Sequence, residues 1–178
     1  MRKLTAAIYL SLDGVMEHPA WTSPYFNAEL AHVQQELMAT HGALLLGRVT
    51  YEAFAAAWPN MPDEEGADRM NSMPKFVASR TLTTTTWNAE LLPGPNAAAA
   101  VAHLKQQPGP NLLLYGSGEL ANALRQRGLI DEYRLMVFPV VLGGGQRFFA
   151  EGSGPSDLQL VAAQTTSTGV SVLTYRPA

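Results

Sequence analysis

The stretch Leu112-Leu113-Leu114-Tyr115-Gly116-Ser117-Gly118-Glu119-Leu120-Ala121 decides how this chain is read. Its apolar run is short and ends at a glycine, the pattern of a strand buried on both faces. The run leads into G-x-G-x-x-A, opening a helix that Gly128 closes, the outline of a dinucleotide fingerprint. A Rossmann fingerprint belongs in the first βαβ unit, with a ribose-binding acid about 20 residues further on. This one comes two-thirds of the way along and no such acid is apparent. The stretch therefore reads as an anion-binding strand-to-helix junction whose position argues against a Rossmann fold.

Two more junctions, both earlier in the chain, have the same form. Leu44-Leu45-Leu46-Gly47-Arg48-Val49-Thr50 takes a buried strand into a glycine, an arginine and a helix. Gly47 admits a ligand to the backbone, Arg48 offers a bidentate phosphate partner, and Thr50 adds a hydroxyl. Phe76-Val77-Ala78-Ser79-Arg80-Thr81 ends a strand in hydroxyl, arginine, hydroxyl, a set suited to a 2′-phosphate. Each alone also fits an ordinary exposed turn. Three in one small sheet point to phosphate binding at the strands' C-terminal ends, where helix N-termini present free N–H groups.

The rest of the chain alternates in the same way. Leu4–Leu12 reads as a first strand closed by Asp13-Gly14. Ser23-Pro24 reads as a helix start, with Phe26, Leu30, Val33 and Leu37 on one face and Gly42 as the stop. Val49–Trp58 reads as a helix, Asn60–Asn71 as a polar loop or a loop with one helical turn, Thr83–Trp87 as a strand, and Leu92–Pro95 as a break. Asn96 caps a helix to about Gln106. Asp131–Val141 is rich in β-formers, and Leu158–Gln164 with Val170–Tyr175 reads as a terminal hairpin. Strands alternating with helices and then running alone predict an α/β sheet, mostly parallel, with an antiparallel hairpin at its C-terminal end. All 178 residues are expected to form one domain.

Composition narrows the function classes. The chain has 15 acids against 12 Lys+Arg, only 15% charged residues, and no cysteine. That excludes disulfides and thiol nucleophiles and argues against nucleic acid as a partner. Arg2-Lys3 before an apolar run resembles a signal peptide, but the run is short and no small-x-small site comes after it, so it reads as the first strand. With no 18-residue apolar stretch, a cytoplasmic protein with no membrane partner is expected. The scarcity of charge hints at a homodimer, with the Tyr133–Leu142 strand and the hairpin as candidate interfaces. His18, His32, His41 and His103 lack ligand spacing, so no metal is expected. No G-x-S-x-G occurs, which argues against a nucleophile-elbow hydrolase. Acid–base candidates are Asp13, directly after the first strand, and Glu29 on the first long helix; water is the remaining proton source.

The set Ser11–Gly14, Leu46–Glu52, Lys75–Leu82, Tyr115–Gly118, Leu129–Tyr133 and Pro139–Gly145 resembles the dihydrofolate reductase-like superfamily. More narrowly, it resembles stand-alone relatives of the C-terminal reductase domain of the bifunctional riboflavin-biosynthesis enzyme. The motifs keep the family's order across essentially the whole chain. The resemblance implies a three-layer sandwich on an eight-stranded, mostly parallel sheet, NADPH as hydride donor, and a dimer. By that analogy Gly47, Arg48 and Thr50 hold cofactor phosphates, and Ser79, Arg80 and Thr81 surround the 2′-phosphate. Gly116, Ser117, Gly118 and Glu119 cradle the pyrophosphate. Asp13 faces nicotinamide or substrate, with Pro139, Leu142 and Gly143 on the far wall. Where folate-reducing members carry a pterin-binding acid, this chain has Ala31, with Glu29 two residues away. The fused deaminase's zinc motif is absent from this chain. The expected function is NADPH-dependent reduction of a pterin- or pyrimidine-like heterocycle. The alternatives are a module that binds NADPH or a heterocycle without turnover and, more remotely, a Rossmann-type NAD enzyme.

Overall fold

The computed structural model describes residues 1–62, 66–92, 96–149 and 151–178. Its strands are β1 (Leu4–Leu10), β2 (Ala43–Gly47), β3 (Lys75–Ala78), β4 (Ala89–Leu91), β5 (Leu112–Tyr115), β6 (Glu132–Val137), β7 (Leu158–Thr165) and β8 (Ser171–Pro177). They form one eight-stranded sheet in the order β4-β3-β2-β5-β1-β6-β8-β7. All neighbours from β4 to β6 pair parallel, while β6–β8 and β8–β7 are antiparallel. The helices are α1 (Ala28–Thr40), α2 (Arg48–Ala57), α3 (Ala67–Ser72), α4 (Ala97–Gln106) and α5 (Gly118–Arg125).

The continuous apolar runs arise from burial on both faces. Leu4, Ala6, Ile8, Leu45, Leu112 and Leu114 point to the side covered by α4 and α5. Ala7, Leu44, Leu46 and Leu113 point to the side covered by α1, α2 and α3. The result is a three-layer α/β/α arrangement in which Leu44, Leu45, Leu112, Leu113 and Leu114 are wholly buried. Each such leucine contributes about 1.5–3 kcal/mol. The dihydrofolate reductase-like architecture expected from the sequence is therefore present.

Two local expectations are corrected. Ser23-Pro24 does not start the long helix; both lie inside a 3₁₀ segment, Pro19–Tyr25. The helix begins at Ala28, where Asn27 Oδ1 accepts from Leu30 N–H at 3.0 Å. Leu30, Val33 and Leu37 form its buried face, but Phe26 is exposed. Thr83–Trp87 is not a strand, and the partner of β3 is Ala89–Leu91. The threonines are held by other bonds: Thr85 Oγ1 donates to Ala89 O (2.6 Å), and Thr86 N–H donates to Tyr51 Oη (2.8 Å). The helical turn offered for the Asn60–Asn71 loop is α3, while residues 63–65, like 93–95 of the break after Leu92, lie outside the described residues. Among the described residues, no helix is long and apolar enough to cross a membrane.

Candidate functional site

The strand order gathers the three junctions. β3, β2 and β5 are consecutive in the sheet, so Ser79-Arg80, Gly47-Arg48 and Gly116-Ser117 emerge side by side at one edge. Leu45 is level with Phe76 and Leu114, and Gly47 with Ala78. Asp13 lies just beyond β1 and Pro139 just beyond β6, next along the same edge.

Two junctions are tied to each other. Gly47 N–H donates to Ser117 Oγ at 2.8 Å, Ser117 Oγ donates to Tyr115 O at 3.0 Å, and Ser117 N–H donates to Thr50 Oγ1 at 3.1 Å. These bonds set the start of α2 beside the start of α5. Ser117 adopts a left-handed conformation, φ 56°, to make them. A β-carbon on Gly118 would lie 2.6 Å from Met16 Sδ, so only glycine fits there without displacing Met16.

The two helix starts lie side by side and differ from those of α1 and α4. α1 and α4 are each capped by an asparagine side chain, Asn27 and Asn96. α2, α5 and the short α3 have no side-chain cap, and of these α2 and α5 meet at this edge. Their first-turn N–H groups and positive dipole ends are left for an anion. Arg48 pairs with Glu52 at 2.8 Å on the surface, and Arg80 is exposed next to the turn that Ser79 Oγ makes by accepting from Thr81 and Leu82 N–H. Glu119 is exposed in the first turn of α5. Its negative charge repels a phosphate, so the main-chain N–H is what it can offer.

The carboxylates are committed to holding loops. Asp13 accepts from Ser11 Oγ (2.6 Å), Leu142 N–H (3.1 Å) and Gly143 N–H (2.9 Å). The Ser11 bond leads in holding its pKa down at about 2. Asp13 thus clamps the glycine-rich loop after β6, and Leu142 and Gly143 meet it through their main chain. Glu29 accepts from Ser167 Oγ (2.5 Å), Ser167 N–H (2.7 Å) and Asn27 Nδ2 (2.8 Å), which lower its pKa and pin α1 to the β7–β8 turn. Pro139 is exposed near that turn, beside Gly169. Both acids are ionised at neutral pH in this arrangement.

Sequence reasoning passed over an aromatic wall on the α1 side of the same edge. Tyr9, Trp21 and Tyr25 pack edge-on around Phe138 at 5.2, 5.5 and 6.0 Å between centroids. Phe54 packs on Trp58 and Tyr115. The Gln34 amide joins two phenols: its Nε2 donates to Tyr9 Oη at 2.7 Å, and Tyr115 Oη donates to its Oε1 at 2.6 Å. Burial pushes the Tyr9 phenol up to about 12 and raises Tyr115 as well, so both stay neutral donors. The only sequence signal was a tyrosine near the end of each of two buried strands. Among the described residues no His/Cys/Asp/Glu group is arranged to hold a metal.

Comparison with known proteins agrees with this geometry. The chain is 31% identical over 136 residues to the uncharacterised protein YyaP of Bacillus subtilis strain 168, covering 74% of this chain and 72% of YyaP. A candidate riboflavin biosynthesis protein of Shewanella sp. PV-4 superposes with a TM-score of 0.79 at 24% identity, over 99% of both chains. A pyrimidine reductase-like protein of Corynebacterium diphtheriae superposes at 0.71 and 12% identity, over 99% of this chain and 92% of the other. These two likenesses establish the dihydrofolate reductase-like fold. Residues 2–172 match the RibD C-terminal domain family, and to that family of pyrimidine reductases, which typically uses NAD(P)H, the chain belongs.

Proposed function

We propose that this protein is an NADPH-dependent reductase that transfers a hydride to a pyrimidine- or pterin-like ring. The observation that carries the reading is the pair of uncapped helix N-termini, α2 and α5, set side by side where β2 and β5 end. NADPH, when bound, supplies the hydride. Gly47, Arg48, Thr50 and the Gly116–Glu119 main chain would hold its pyrophosphate, and Ser79, Arg80 and Thr81 its 2′-phosphate. The partly exposed rings of Tyr9, Phe54 and Trp58, backed by the buried Phe138, suit a flat ring lying toward β1 and β6. Asp13 keeps the Leu142–Gly143 loop in place beside that ring. Catalysis is then positioning of donor and acceptor.

The test is fluorescence titration with NADPH and NADH, on the parent protein and on Arg80→Ala. Preferential NADPH binding, with the preference lost in the variant, is expected. No binding at about 1 mM cofactor, the upper end of ordinary Michaelis constants, refutes the proposal. The engagement of both Asp13 and Glu29 favours a second reading, a module that binds without turnover. Cofactor oxidation over a panel of aminouracils, pterins and flavins separates the two.

A homodimer belongs to the same proposal. β6 lies between β1 and β8 and has no free edge, so the expected Tyr133–Leu142 interface is moved to β7. That edge strand is largely exposed and shows Leu160 at 51% and Val161 at 48% to solvent. Size-exclusion chromatography with light scattering tests it against Val161→Lys.

A further inference from the structure

The sheet face under α1 and α2 carries a polar centre that cofactor binding does not use. Tyr9 and Tyr115 stand on β1 and β5, two interior strands. Leu44, Leu46 and Leu113, on the same face, are wholly buried. Tyr9 and Tyr115 instead keep part of their surface open to solvent, as do Gln34 on α1 and Phe54 and Trp58 on α2. An interior strand is open on this face only where the layer covering it parts or ends. That opening is flanked by α1 and α2, because Gln34 and Phe54 both reach Tyr115, by a hydrogen bond of 2.6 Å and at 6.3 Å between ring centroids.

The hydrogen bonds of this centre leave one donor and one acceptor unused. Gln34 Nε2 has two N–H groups, taken by Tyr9 Oη (2.7 Å) and by the Met136 thioether (3.3 Å). A thioether can only accept, which fixes this end of the amide as the nitrogen. At the other end Tyr115 Oη gives its hydrogen to Gln34 Oε1. Tyr9 Oη accepts from Gln34, so its own O–H is left without an acceptor among the described residues. Gln34 Oε1 keeps a second lone pair. Among the described residues no carboxylate bonds to any of the three, since Asp13 and Glu29 are engaged on Leu142, Gly143 and Ser167. The centre is therefore neutral as well as half-satisfied.

We propose that Gln34 is the specificity-determining residue of the ring site: with its own Oε1 and the Tyr9 O–H that it orients, it selects the lactam edge of a neutral ring. A lactam sets a carbonyl oxygen beside an N–H, the complement of a free donor beside a free acceptor. A ring that binds as a cation, with amines in place of the carbonyl, finds no negative partner here and leaves the Tyr9 O–H unpaired. Sites that leave their own polar groups unpaired against the wrong ligand discriminate strongly. The assignment rests on the reductase reading for the presence of a ring. It is separable from cofactor binding, because Gln34 lies on α1 and not at the three strand-end junctions.

The test is calorimetric titration of the full chain, with and without NADP, using isocytosine and diaminopyrimidine as probes. The first is a neutral aminopyrimidinone; the second has two exocyclic amines, no carbonyl and a basic ring. The parent protein should bind isocytosine at least about tenfold more tightly than diaminopyrimidine. Gln34→Glu keeps an acceptor for both phenols, adds a charge, and should reverse the order. Tyr9→Phe should weaken isocytosine about tenfold and leave diaminopyrimidine unchanged. Gln34→Met brings no charge and should bind both rings equally, which keeps the test open where thermal melting shows that the glutamate variant does not fold. A merely structural Gln34 would weaken both rings together and never reverse their order. Equal binding of the two rings by the parent overturns the assignment. So does an unchanged order in folded Gln34→Glu, or no isocytosine binding by the parent at about 10 mM, a concentration that would reveal even a weak site. Ring preference without any NADPH binding sinks the reductase reading and leaves Gln34 as assigned; NADPH binding without ring preference does the reverse.

Discussion

Ser117 offers a test of the candidate site, because its left-handed backbone and its hydroxyl make opposite predictions. Ser117→Ala removes the acceptor of Gly47 N–H and the donor to Tyr115 O while leaving the Thr50 bond. Two neutral bonds at about 1 kcal/mol each put the loss near 2 kcal/mol, and the half-buried Gly47 N–H left without its partner adds to it. Ser117→Gly loses the same bonds but relieves a non-glycine residue at φ 56°, worth about 1 kcal/mol. The glycine variant should therefore be the more stable of the two by about that amount. Both should bind NADPH about tenfold more weakly, since the bond aligning the starts of α2 and α5 is worth about 1.4 kcal/mol at most. Urea unfolding at pH 7 gives the first quantity and fluorescence titration the second. Equal stability of both variants and the parent refutes the bonding argument. Weakened folding with unchanged NADPH affinity refutes the cofactor site.

Three further outcomes are expected. The Lys105 Nζ–Asp131 Oδ2 pair (2.5 Å) joins a lysine side chain 4% exposed to an aspartate 32% exposed that also accepts from Leu4 N–H. Asp131→Asn, which strands the buried cation, should cost about 3–5 kcal/mol in urea unfolding, and Lys105→Met less than half of that; the reverse order contradicts the assignment. Burial of Lys75 pushes its amine down to about 8 from 10.5, so between those values the unfolded chain binds the extra proton and stability from this group rises with pH. Unfolding midpoints at pH 7.5 and 9.5 should show that rise in the parent and not in Lys75→Met. Asp13, held at about 2, contributes stability that is complete above pH 3.8 and lost as pH falls toward 2. Asp13→Asn should accelerate amide hydrogen exchange at Leu142 and Gly143 at neutral pH, and unchanged exchange there would show that the clamp is not operating.

Local pattern alone placed the central strands and the glycine junctions. The runs at Ala43–Leu46 and Leu112–Tyr115 are continuous because both faces of those strands are covered, and that requirement is legible residue by residue. Asn96 was legible as a cap because its bond to Ala99 N–H spans only three residues. The start of α1 was not legible, since Ser23-Pro24 suits a 3₁₀ turn as well as a helix and the choice falls to the packing of Trp21 and Tyr25 on Phe138. Thr83–Thr86 has strand propensity, but Tyr51, more than thirty positions earlier, takes its backbone N–H.

The layer architecture and the three strand-end junctions are written along the chain, because burial, turns and helix starts are set by neighbours within a few residues. The work of the carboxylates and phenols is settled by long-range contacts instead. Asp13 meets Leu142 and Gly143 across about 130 positions, Glu29 meets Ser167, and Tyr9 meets Tyr115 through Gln34. A side chain's partner, and with it the side chain's charge, is fixed by which strands lie side by side, and a strand order of β4-β3-β2-β5-β1-β6-β8-β7 cannot be read along the chain.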